Sequence, residues 1–245
     1  MTSIKSILLL MLLAPTLLFS QALDSPPPIE KVDYKAYVGF SLGFSIPNGS
    51  FASTDEENNQ SAYAVNGQSF QLLDVGYRVY QNLNASAHYM RLQNSIDENA
   101  LARNLRTPGL RYTVDASNYE LNAAFVGIGF IKPSNSISLQ MQIMIGYGNI
   151  FIPTIDLVET DDMGNSSTIH LASTSESSIG FGVSGGFRIH LTDRLDFSSQ
   201  AAFINFQKEF DQVARSGNQV SVASGKINYE VISVTFGFSY RFLPQ

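Results

Sequence analysis

Between Tyr37 and Ile46 the side chains change character at every step. Val38, Phe40, Leu42, Phe44 and Ile46 share one parity, and Tyr37, Gly39, Ser41, Gly43 and Ser45 share the other. Successive side chains of a strand point to opposite faces, so a period of two describes a sheet with one greasy face and one small or polar face. The pattern returns in Ile137, Leu139, Met141, Ile143, Ile145 and Tyr147, interleaved with Ser138, Gln140, Gln142, Gly146 and Gly148. It returns again from Ser178 to Leu191, where Ile179, Phe181, Val183, Phe187 and Ile189 alternate with Gly180, Gly182, Ser184, Gly186, Arg188 and His190. At the end of the chain Val234, Phe236, Phe238, Tyr240 and Phe242 alternate with Ser233, Thr235, Gly237, Ser239 and Arg241.

Four weaker segments fill the gaps: Leu73 to Val79, Leu83 to Tyr89, Tyr119 to Phe125 and Leu195 to Phe203. Together they predict eight strands. After Phe125 the apolar parity shifts to Val126, Ile128 and Phe130, which predicts a bulge or a change of face near Gly127. The connections alternate in length. Gln81-Asn82, Lys132 to Asn135 and Thr192-Asp193-Arg194 are short, whereas Pro47 to Ser69, Gln93 to Ser117, Asn149 to Ser175 and Gln207 to Lys226 are long and polar. Short turns on one rim and long loops on the other are the rhythm of an outer-membrane barrel, with turns and both termini on the periplasmic side. Within the second long loop, Ser95 followed by Glu98, with Ala100, Leu101 and Leu105 beyond, predicts a short helix capped at Ser95.

The first residues belong to export. Lys5 supplies a positive region, Ile7 to Phe19 an apolar run, and Ser20-Gln21-Ala22 small residues at the positions a signal peptidase reads. That run is shorter than the roughly 20 residues a membrane-spanning helix needs. The expected organisation is a signal peptide over 1–22, a Pro-rich periplasmic linker over 23–34 containing Pro26-Pro27-Pro28, and the barrel over 35–245. Cleavage follows Ala22, with Ser20 as the alternative.

Composition agrees with a membrane sheet. Charged residues are 15% of the chain, below the ~25% of average soluble domains. No cysteine is present, so neither a disulfide framework nor a lipid on a cysteine is available. A formal charge of −6 with scattered basic residues argues against a nucleic-acid surface. In hydrocarbon an open sheet edge leaves backbone groups unpaired at several kcal/mol each, so a spanning sheet must close. A secreted soluble barrel or sandwich would turn the greasy face inward, but the Gly and Ser of the other face do not read as its surface. The expectation is therefore an all-β fold: a closed antiparallel up-and-down transmembrane β-barrel of eight strands after a cleaved signal peptide.

The terminal run Phe236-Gly237-Phe238-Ser239-Tyr240-Arg241-Phe242, with the signal peptide and the alternation, resembles the porin-family outer-membrane β-barrel proteins of the OmpA and OmpX type. The resemblance covers the whole mature chain. It implies outer-membrane lipid as surroundings and the barrel assembly machinery as partner, which in that family reads the aromatic last strand. Here Leu243-Pro244-Gln245 follow Phe242, whereas the family usually ends on the aromatic itself.

Chemistry is sparsely written. Ser86 and His88 lie two apart on one strand with Glu120 on the next, a trio of the types used for nucleophile, base and orienter in ester hydrolysis. It loosely resembles the outer-membrane lipid A deacylases, but the order and spacing do not match them. The better reading is structural: Asp74, Arg78, His88, Glu120, Arg188, His190, Asp196 and Arg241 mix signs on the inward face and pair as a plug. Asp156, Glu159, Asp161 and Asp162 lack the spacing of a calcium loop and read as a solvated acidic loop. No catalytic, cofactor or metal residue is assigned. Two functions remain: a non-enzymatic barrel with a structural, envelope or surface-interaction role through its loops and possible envelope or surface protein partners, or a passive pore or uptake barrel for small solutes. N-terminal sequencing of the membrane-bound protein should begin at Leu23. A start at Gln21 would move the cut to Ser20, and a start at Met1 would remove the signal peptide.

Overall fold

A computed structural model of the chain describes residues 34–55, 60–132 and 136–244. The expected signal peptide lies outside the described residues, as does the linker up to residue 33. Eight strands form a ring: β1 (Tyr34–Pro47), β2 (Gly67–Tyr80), β3 (Leu83–Asn94), β5 (Tyr119–Lys132), β6 (Ile137–Ile152), β9 (Thr174–His190), β10 (Leu195–Ser216) and β11 (Gln219–Pro244). Each pairs antiparallel with the next, and β11 returns to β1 from Tyr34↔Pro244 to Pro47↔Val231, so no edge is left across the span. This is the expected eight-stranded barrel.

Three further strands rise from the long connections: β4 (Leu110–Ala116), β7 (Ile155–Asp161) and β8 (Ser166–Leu171). β4 pairs with β7, β7 with β8, and β8 with the far end of β10 at Ala214, Arg215 and Ser216. The segment from Gln207 to Lys226, expected as a loop, is instead a continuation of the β10–β11 ladder up to Ser216↔Gln219. β10 has 22 residues and β11 has 26, against the roughly 9 to 11 needed to cross hydrocarbon. The excess stands outside the membrane, where it anchors the added sheet.

Outside the first half of β5, outward residues follow the sequence parity. Phe40, Phe44, Ile128, Met141, Ile143, Ile145, Phe181, Phe236 and Phe238 are all exposed, forming the band that meets lipid. Tyr80, Phe130 and Tyr240 lie at its periplasmic foot. The small residues of the inner face are required by closure: a Cβ on Gly43 or Gly237 would run into a backbone carbonyl of the facing strand at the β1–β11 seam.

Two local expectations are corrected. No bulge occurs near Gly127, where β5 stays in continuous register with β3 and β6. The apolar parity shifts there because Tyr119, Leu121, Ala123 and Phe125 face inward: Leu121 is 1% and Phe125 2% exposed. The register shifts lie instead on β2, where the pairing steps past Leu72 and, beside the turn to β3, past Val79. Leu72 and Leu73 are both exposed, at 55% and 43%, and the extra residue returns Asp74 to the lumen after Gln71. The expected helix exists as α2 (Glu98–Asn104), but its cap is Asp97, whose carboxylate accepts from the Ala100 N–H at 2.9 Å. Ser95 instead donates to Asn118 at 2.8 Å. The shorter α1 (Gly49–Ala52) carries Phe51.

Ile143 sits midway between Leu139 and Tyr147 on the lipid face. Ile143→Arg should cost ~2–4 kcal/mol, whereas Asn149→Arg, farther along the same outward row and near its extracellular end, should cost ~0–1 kcal/mol. Urea unfolding in lipid vesicles measures both, and equal costs would misplace the midplane.

Candidate functional site

The barrel interior has two storeys. Toward the extracellular end it is apolar: Leu92, Leu121, Phe125, Ile150, Ile204 and Phe206 are fully buried, contributed by β3, β5, β6 and β10. Phe51 of α1 closes this end like a stopper. Its ring lies 5.2 Å from Tyr119 and 4.4 Å from Tyr229, and Phe125 meets Phe206 edge-on at 5.7 Å. The Tyr229 hydroxyl donates to Asn94 Oδ1 at 2.9 Å, and the Asn94 amide donates to the Ser45 and Val65 carbonyls. The Tyr229 hydroxyl and the Asn94 amide beneath the stopper are thus satisfied, whereas the buried Ser50 hydroxyl of α1 has no partner among the described residues.

Below lies a polar storey centred on Arg188, Asp74 and His88. Arg188 Nη2 stands 3.5 Å from Asp74 Oδ2, its Nε donates to Gln140 at 3.0 Å, and its guanidinium stacks 3.3 Å over the Tyr37 ring. Gly76 makes room for that ring, since a Cβ there would overlap it. His88 Nδ1 lies 3.2 Å from Asp74 Oδ1 and 2.7 Å from the Gln71 amide nitrogen. On its other side His88 Nε2 faces Gln142 Oε1 at 3.3 Å, an oxygen that also accepts from Ser86 at 2.9 Å. Ser41 donates to Gln71 Oε1 at 3.0 Å. Ser41, Gln71, His88 and Gln142 thus form one connected polar chain, which Asp74 joins at His88 Nδ1. The space among Gln71, His88, Met144 and Gln200 is too narrow for a water molecule.

A second cluster fills the periplasmic mouth. Asp196, with a side chain 1% exposed, meets His190 Nδ1 at 2.7 Å and Arg241 Nε at 3.1 Å. His190 Nε2 reaches Ser138 at 2.9 Å, and Arg241 donates to the Thr192 carbonyl at 2.8 Å. Arg78 is half-buried opposite Asn84 beside the β2–β3 turn.

Glu120 is the exception among the expected interior charges. Because Tyr119 and Leu121 face inward, Glu120 faces outward, where Arg91 binds both its oxygens at 2.9 and 3.1 Å and Gln93 donates at 2.8 Å. The trio Ser86, His88 and Glu120 is therefore not assembled. Ser86 donates to Gln142 rather than to His88, and Phe125, five residues along from Glu120, is the residue opposite His88. Sequence reasoning passed over Tyr37, Gln71, Gln140 and Gln142 as partners, although each lies on the polar parity of its strand.

The acidic segment is engaged in extracellular structure. Asp156 pairs with His170 at 2.5 Å, and Tyr112 donates to Glu159 at 3.4 Å. Asp161 shapes the β7–β8 turn: the Asn165 side chain and backbone N–H and the Met163 N–H all donate to it, which holds its carboxyl below the usual range. Among the described residues no group of three His, Cys, Asp or Glu side chains is placed to hold a metal.

A family model described as the outer membrane protein beta-barrel domain matches residues 10–242. Among solved structures, the outer membrane protein OprG from Pseudomonas aeruginosa is 11% identical with a TM-score of 0.54, covering 87% of this chain and 99% of its own. A major outer membrane protein from Thermus thermophilus is 12% identical, with a TM-score of 0.48 and 84% and 99% covered. Neisserial surface protein A is 15% identical, with a TM-score of 0.46 and 84% and 97% covered. The likeness to OprG is one of fold. No curated protein sequence matches the chain.

Removing one partner of a buried ion pair leaves the other charge uncompensated. Arg188→Met should therefore destabilise the barrel by ~3–5 kcal/mol. The outward Glu120→Gln should cost ~0–1 kcal/mol. Urea unfolding of both variants in detergent micelles tests this, and a loss at Glu120 as large as that at Arg188 would contradict the assignment of faces.

Proposed function

The chain belongs to the outer membrane protein beta-barrel domain family and is an integral protein of the bacterial outer membrane, and from that premise we propose a non-enzymatic envelope role exerted through the extracellular sheet. The observation that carries this reading is the filled lumen. Phe51 and the apolar storey occupy one half, and the ion pairs around Arg188 and Asp196 occupy the other. Such an interior suits an anchor better than a pore for solutes. A lipid-acting hydrolase is disfavoured because Glu120 faces outward to Arg91, away from Ser86 and His88, and Ser86 donates to Gln142 rather than to His88.

The working surface in this proposal is the sheet of β4, β7, β8 and the outer part of β10. Its register aligns Asp115, Asp156, His170 and Arg215 in one row across four strands, a polar face suited to a protein or envelope partner. Residues 1–22 are proposed as the export signal and 23–34 as a periplasmic linker, with the aromatic end of β11 as the segment read by the barrel assembly machinery.

Planar-bilayer recording is the test of the anchor reading. The folded protein should produce no steady conductance, and reproducible open steps would favour the pore instead. Deleting Tyr240 to Gln245 should leave exported, unfolded chain in the periplasm. On a gel, a truncated protein that still ran as a compact membrane species before boiling would refute the role given to the last strand.

A further inference from the structure

The apolar band ends on its extracellular side in a collar of outward amides and hydroxyls. Arg91 stands opposite Asn122, Asn122 opposite Asn149, and Asn149 opposite Ser177, a continuous row across β3, β5, β6 and β9. On β10 and β11 the collar continues through Asn205, which donates to Asn228 at 2.8 Å. Its charges are all engaged. Arg91 is held by Glu120, and Glu230 accepts from Asn48 at 2.7 Å and from Asn228 at 3.2 Å.

Four collar side chains, Gln68, Asn122, Ser177 and Gln207, face outward and make no side-chain hydrogen bond within the described residues. Their donors and acceptors are directed at whatever surrounds the barrel at that height. The opposite end of the band differs. There Lys132 is exposed, and Arg194 reaches up to the Tyr240 hydroxyl at 3.0 Å, placing cations where a phospholipid leaflet begins.

We propose that the collar is a carbohydrate-facing surface, which holds the uncharged, hydroxyl-bearing sugars of outer-leaflet glycolipids by hydrogen bonds. An amide both donates and accepts, as a sugar hydroxyl does, whereas a phosphate only accepts and is matched by Arg or Lys. The one cation of the row is already bound to a carboxylate. Asp156, Glu159, Asp161 and Asp162 on β7 and its turn add negative charge on the extracellular side, which disfavours an anionic headgroup. Charge complementarity therefore selects a neutral saccharide rather than a phosphate.

The experiment compares urea midpoints of protein isolated from outer membranes and refolded in three kinds of vesicle. These are dimyristoylphosphatidylcholine alone, the same lipid with neutral digalactosyldiacylglycerol, and the same lipid with anionic dimyristoylphosphatidylglycerol. The galactolipid should raise the midpoint, on the order of 1 M for three added hydrogen bonds, and the anionic lipid should not. A triple variant, Asn122→Ala with Ser177→Ala and Gln207→Ala, breaks no side-chain hydrogen bond within the described residues. It should keep the midpoint in phosphatidylcholine alone and lose the galactolipid gain. The proposal is overturned by an equal gain from the anionic lipid, by no gain from the galactolipid, or by a gain that survives in the triple variant.

Discussion

Every other feature of this protein depends on the pairing of β11 with β1. In hydrocarbon an unpaired N–H or C=O costs several kcal/mol, so eight strands are admissible only as a closed ring. Closure fixes which residues may lie inside the seam. It explains the glycines at 43 and 237, where the two backbones leave no room for a Cβ. It also divides the side chains into a lipid-facing set that needs no partners and a lumen-facing set in which every polar group needs one.

The narrow lumen then resolves in two ways along its length. At membrane depth the inward residues are polar or small, and burial makes their pairing obligatory: Arg188 with Asp74, His190 and Arg241 with Asp196. Above the lipid band the strands have water outside and can bury greasy side chains inward, as an ordinary soluble core does. That inversion of preference at the membrane boundary produces the apolar storey and the seat for Phe51. It also places Glu120 on the outer surface, two residues from Asn122 in sequence and on the same parity.

The alternation in β1, β6, β9 and β11 was legible because membrane and lumen impose opposite chemistry on adjacent residues. β5 misled for the converse reason: its first half lies where the inside is apolar, so Tyr119 to Phe125 mimic a lipid face. The bulge at Leu72 left no mark because the inserted residue is as apolar as its neighbour and both meet lipid. Asp97 outcompeted Ser95 as the helix cap because Ser95 is engaged by Asn118, a tertiary contact with no local signal. The extension of β10 and β11 was hidden by its polar composition, which solvent permits on both faces of the rising hairpin. In the lumen the charged residues could be identified, while their pairing depended on the β2 bulge and could not.

Because the chain contains no cysteine, the seam can be interrogated by a single introduced pair. Phe40 and Phe238 are directly opposite across β1 and β11 and both face outward. In Phe40→Cys/Phe238→Cys, oxidation of membranes should join the two strands. The cross-linked protein would then keep a compact gel mobility after boiling until it is reduced. The displaced pair Phe40→Cys/Val234→Cys should cross-link far less. Failure of the first pair to join, or equal joining of the second, would contradict closure in this register.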